Sequence, residues 1–167
     1  MYLLDENCIS EHSRILVKEK EDSFFVYKSV KKILKLLEQK KELYSFNFYT
    51  PLNKILGIEF IGLQPLWHVQ SFSGSQIFLG IEAEIFVDGE WIKVSELRHH
   101  EKIYEYDIVR ELYHETFILN FQESKKSRGY RVIFEDPNGI CVNNYFLRFP
   151  DRIEEKEPVT TKKEQKS

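Results

Sequence analysis

The chain has 167 residues, 42% of them apolar and 14% aromatic, with a formal charge of −3. A chain of this length is one domain's worth and buries roughly 68–70% of its unfolded surface, so one packed core is expected and a disordered chain is excluded. The acidic balance argues against nucleic acid or an anionic membrane as partner, because both demand a concentrated basic surface.

No run approaches the roughly 18 apolar residues of a spanning helix, and "MYLLDENC" lacks a basic n-region. A soluble, cytoplasmic protein is expected. Cys8 and Cys141 are too few for a disulfide framework and wrongly spaced for zinc. His99 and His100 are neighbours and point to opposite faces of a strand, so no metal and no cofactor are expected.

After a leader over residues 1–7, "SRILVKEKEDSFFVYKSV" reads as a hairpin: a strand, a charged turn, then "FFVY". From Lys28 to Lys40 the period changes, because Val30, Ile33, Leu34 and Leu37 fall at helical spacing with lysines opposite. "ELYSFNFYT" and "KILGIEFIGLQPLWHVQSFS" return to alternation, rich in aromatic and β-branched side chains. "SQIFLGIEAEIFVDGEWIKVSEL" predicts a hairpin turning at Asp88-Gly89. Two further strand pairs follow, "KIYEYDIVRELYHETFILNFQES" and "GYRVIFEDPNGICVNNYFLRF". The second has a turn at "EDPNG", where Pro137 presets φ and Asn138-Gly139 accept positive φ. The segment 151–167 loses its aromatics and gains charge, and is expected to be disordered.

Three of these stretches, in order, resemble the Hint (Hedgehog/intein) self-processing family. "CISEHSRILVKEK" is similar to its opening, a nucleophilic Cys before a strand and a charged hairpin. "GSQIFLGIEAEIFVDGEWIKVSELRHHEKI" is similar to its central motif, where a strand runs into a Thr-x-x-His loop. "GYRVIFEDPNGICVNNYFLRF" looks like its closing strands, which end in His-Asn. The resemblance spans about residues 8–149. It implies a mainly β, horseshoe-shaped domain of antiparallel strands over 8–150, with one or two short helices and both ends converging on one site.

In that family the Cys attacks the carbonyl before it, the Thr and His stabilise the oxyanion and protonate the leaving amine, and the terminal Asn cyclises. Carried over, Cys8 matches the nucleophile. Gly80 stands in the place of the Thr, Ala83 of the His, Arg131 of a penultimate-strand Asp, and Arg148 and Phe149 of His-Asn. Neither Gly80 nor Ala83 has a side-chain proton to give, and Phe149, followed by Pro150, cannot cyclise. Losing one oxyanion donor costs about two to three orders of magnitude in rate, and several groups are missing together.

The resemblance therefore implies a non-splicing scaffold or binding module, with an unidentified protein or a small anionic ligand as partner and Arg131 with Arg148 as its anion site. Two alternatives stand beside it: slow cleavage at Asn7–Cys8 through a Cys8 thioester, and an unrelated small β-barrel binding domain. Individual residues have two readings each. Cys8 is a reactive thiol, with His12 four residues away, or an inert buried residue. Cys141 packs in a closing strand or approaches Cys8 to form a regulatory disulfide. His68 occupies the vacated centre or caps a strand surface, and Glu82 and Glu84 form a substitute acid–base pair or are exposed charges.

Overall fold

Alternation along the chain becomes strands wherever one face can be buried, and the computed structural model describes these over residues 8–47, 52–98 and 101–149. The leader, the tail from 151, His99, His100 and Pro150 lie outside the described residues. The strands are β1 (Ile9–Ser10), β2 (Arg14–Glu19), β3 (Val26–Ser29), β4 (Leu43–Ser45), β5 (Asn53–Gln64), β6 (Trp67–Ser71) and β7 (Gln76–Leu79). They continue as β8 (Glu84–Val87), β9 (Glu90–Lys93), β10 (Lys102–Asp107), β11 (Leu112–Glu123), β12 (Ser127–Phe134), β13 (Asn138–Val142) and β14 (Tyr145–Arg148).

Among the described residues one α-helix, α1 (Val30–Glu38), and a 3-10 turn over Val94–Glu96 interrupt them. The α-helix buries Val30, Ile33 and Leu36, and Ser29 caps it by accepting the Lys32 N–H at 3.2 Å, a bond worth about 1 kcal/mol. The helix stops at Gln39, and Lys40 turns the chain out with φ 67°.

The strands join in the order β10-β11-β6-β7-β1-β12-β5-β4-β2-β13-β14-β8-β9, with β3 beside β2, and β10 also pairs with β8 and β14, so the sheet folds back on itself. β1 therefore sits between β7 and β12, remote in sequence from both. Long β5 and β11 each reach across two neighbours: β5 pairs with β4 and β12, and β11 with β10 and β6. The main core lies inside the curve, with Ile9, Ile15, Val17, Ile55, Ile85, Ile103, Val142 and Leu147 fully or almost fully buried. On the opposite face of part of the sheet, Leu16, Cys141 and Phe146 form a second, smaller cluster.

Turn chemistry follows the sequence at one hairpin and departs from it at another. Asp88 and Gly89 take φ 49° and 86°, the two positive values that a tight type I′ turn requires. In the closing segment there are three strands, β12 to β14, in place of the expected pair. Asn138 opens β13 and only Gly139 is left-handed, at φ 78°, while the extra tight turn falls at Asn143-Asn144 with φ 50° and 60°. Asparagine tolerates that conformation through its short polar side chain. Asn143 helps hold the turn by accepting the Arg14 N–H at 2.7 Å and donating to the Gln76 carbonyl at 3.0 Å.

Candidate functional site

The bend from Gly80 to Glu84 connects the first described strand to the last. β7 ends at Leu79, paired with Ile9 of β1, and the next N–H, that of Gly80, donates to the Cys8 carbonyl at 2.8 Å. Ala83 N–H closes the bend onto the Gly80 carbonyl at 3.1 Å, and the Ala83 carbonyl accepts from Val94 N–H at 2.9 Å. One residue on, Glu84 begins β8 opposite Arg148 of β14. Five residues thus tie Cys8 to Arg148, which brings the two ends of the domain to one place.

Cys8 is buried there, 1% exposed. Gly129 of β12, the register partner of Ser10, comes against it: an added Cβ there would meet Gln64 Cγ at 2.9 Å and Cys8 Sγ at 3.2 Å. The side chains of Cys8 and Gln64 occupy the volume that a residue other than glycine would need. Gln64 is itself buried, with Nε2 donating to the Ile61 carbonyl at 2.8 Å. His12 is elsewhere: it lies exposed at a turn, 3.8 Å from the Glu11 carboxylate.

Arg131, Arg148 and Glu82 at the site each meet an opposite charge. Arg131 meets Glu59 of β5, with Nε at 2.8 Å from Oε1 and Nη2 on the same oxygen. Arg148 Nε lies 3.3 Å from Glu84 Oε1, and Glu82 Oε1 lies 2.8 Å from Lys93 Nζ. Each of the two guanidiniums therefore engages a carboxylate of its own sheet neighbour. Glu82 and Glu84 likewise diverge to separate cations, because only Glu84 is in the strand and Glu82 lies in the bend before it.

Phe149 ends the described chain at this site, 7% exposed, its ring stacked on Phe134 at 6.1 Å and its N–H donating to the Pro137 carbonyl at 3.0 Å. His68 caps a strand surface, stacked on Phe78 at 4.5 Å with Nε2 2.7 Å from Gln76 Oε1. Cys141 lies in the second cluster, 3.5 Å from the Tyr27 hydroxyl, and neither cysteine is in a disulfide. Burial pushes the Cys141 thiol up to about 12.

One buried carboxylate was not singled out from sequence. Glu105 is 1% exposed on β10, where alternation with Ile103 sends it to the core face. Its Oε2 accepts from Ser71 and, at 2.8 Å, from Ser73, while His114 Nε2 lies 3.5 Å from Oε1. This cluster anchors the β6–β7 loop, whose second strand leads directly to Gly80. Among the described residues no group of three or more His, Cys, Asp or Glu is placed to hold a metal ion, and no helix is long and apolar enough to cross a membrane.

No protein-family model matches the sequence, and no curated protein matches it. Solved structures do. An intein from a hyperthermophile is similar at TM-score 0.71 and 13% identity, covering 86% of this chain and 99% of its own. A mutant Ssp DnaB mini-intein is similar at TM-score 0.69 and 16% identity, covering 90% and 99%. The DnaB intein from Synechocystis sp. is similar at TM-score 0.64 and 16% identity, covering 86% and 99%. Identities this low speak for the fold, and the fold is that of the mini-inteins.

Proposed function

We propose that this chain, an all-β domain with the Hint fold of the mini-inteins, is a non-splicing scaffold that acts as a binding module. The observation that carries the reading is the bend at 80–84. An acyl shift at Cys8 requires a donor for the oxyanion and a proton for the leaving amine. Gly80 and Ala83 are buried and supply only backbone groups, and the two carboxylates of the bend turn to Lys93 and Arg148. At the other end, an aromatic side chain stacked on Phe134 replaces the cyclising amide. An anion at Arg131 or Arg148 would have to displace Glu59 or Glu84, which disfavours the anionic-ligand version of the reading.

The test is the intact mass of the full chain before and after long incubation with a strong thiol nucleophile at neutral pH, with Cys8→Ala as control. An unchanged mass is expected. Loss of residues 1–7 in the parent but not in Cys8→Ala would overturn the reading and establish cleavage at Asn7–Cys8.

A further inference from the structure

The sheet face opposite the main core is lined with aromatic rings, Phe46, Phe86, Trp91, Tyr104 and Tyr106 among those packing against the buried second cluster. Alternation sends Tyr104 and Tyr106 to it because Ile103 and Glu105 face inward, and sends Phe86 there from between buried Ile85 and Val87. The rings form a track over buried Phe146. Phe46 lies 4.5 Å from Tyr106, and Tyr106 and Tyr113 both stand edge-on to Phe146. From Tyr113 the track continues to Tyr104 at 6.3 Å, Phe86 at 5.4 Å and Trp91 at 5.1 Å. Tyr113 is 52% exposed and the others along the track are half-buried, so their outer faces meet solvent.

Carboxylates border this track. Glu115 accepts the Tyr104 hydroxyl at 3.0 Å, and that bond first, then burial and the charges of Glu115 and Asp88, hold the phenol above its ordinary value. Tyr106 is raised first by burial and then by Glu111. Glu115 and Asp107 have cations of their own, Lys102 at 3.9 Å and Arg110 at 3.7 Å. Asp88 and Glu111, both exposed, form no ion pair among the described residues. Ring faces carry the negative end of the quadrupole, so rings and unpaired carboxylates together favour a cation and repel a polyanion. The chain displays the same chemistry at one end of the cluster, where Lys18 Nζ lies 5.4 Å from the centre of the Phe25 ring.

We infer that this aromatic face docks an extended cationic peptide segment, its Arg or Lys side chains laid over the rings of Tyr104, Phe86 and Trp91 and closing on Asp88 and Glu111. The inference rests on the binding-module reading and names its partner; a peptide titration and the thiol mass measurement fail independently of one another.

The probe is a synthetic alternating Arg-Pro peptide of about ten residues, titrated into the full isotope-labelled chain. The Trp91 indole signal reports on the face, and the Trp67 indole, stacked on Phe121, serves as the internal control. Saturable movement of Trp91 and not Trp67 is expected, weakened about tenfold by Asp88→Asn with Glu111→Gln, both substitutions compatible with the left-handed backbone there, and weakened also by added salt. Four results would overturn the inference: no movement, equal binding of a Glu-Pro peptide, unchanged binding by the neutralised variant, or a concentration-dependent dimer abolished by Tyr113→Ser, which would make the face a self-interface.

Discussion

The Gly80 N–H and the Cys8 carbonyl, 2.8 Å apart, join the end of β7 to the residue that precedes β1. Through that bond the central bend is stitched to the start of the domain, and four residues later Glu84 stitches it to the end at Arg148. The two ends of the domain converge at this bend, where Gly80 and Ala83 contribute backbone groups alone beside the buried Cys8 thiol.

Gly129 is a measurable part of this packing. Gly129→Ala should destabilise the domain by about 1–3 kcal/mol, because the new methyl group meets the Gln64 stem at 2.9 Å and the Cys8 sulfur at 3.2 Å, both buried. The cost should shrink when Gln64→Ala accompanies it, since the two changes share one volume. Urea midpoints for the four members of the cycle measure the coupling; strictly additive losses would show that the contact is not what excludes a side chain at 129.

Glu105→Ala should cost about 2–4 kcal/mol, because it leaves the Ser71 and Ser73 hydroxyls without their carboxylate acceptor at a site that is closed to solvent around Glu105 and Ser71. The loss should be felt first in the loop it anchors. Amide hydrogen exchange should accelerate over residues 71–79 before it does in β2 or β13, and uniform acceleration would count against a local anchor.

Alkaline pH should loosen the second cluster. Burial holds the Cys141 thiol at about 12, against about 9 for an exposed thiol. Below pH 9 the thiol is neutral in both the folded and unfolded chain and contributes no pH dependence. Above it, the unfolded chain releases the proton and the folded one does not, so stability falls as pH rises from about 9 towards 12, by about 1 kcal/mol at pH 10. Tyr145, raised by its own burial, adds to the slope above about 10. Thermal midpoints of the parent and Cys141→Ala across this range should diverge in slope, the variant being flatter between pH 9 and 10; parallel curves would refute the assignment.

What the sequence determined by itself is local. Alternation marked the strands, the change of period marked α1, and Asp88-Gly89 marked its hairpin, because side-chain direction and allowed φ depend on a few neighbouring residues. It also showed that Gly80, Ala83 and Phe149 carry no side-chain proton to donate, which no fold can change. The turn at Asn143-Asn144 carries only a weak local signal, because asparagine tolerates what glycine invites, and Asn138-Gly139 is the stronger one nearby. Everything that depends on register between distant strands was decided by the tertiary structure. Glu59 for Arg131, Glu84 for Arg148, Gln64 beside Cys8, the serines around Glu105 and the continuity of the aromatic face are all set by which strands lie side by side. A one-residue slip would turn each of those side chains to the other face, and it is burial of the whole core, not any local preference, that holds the register.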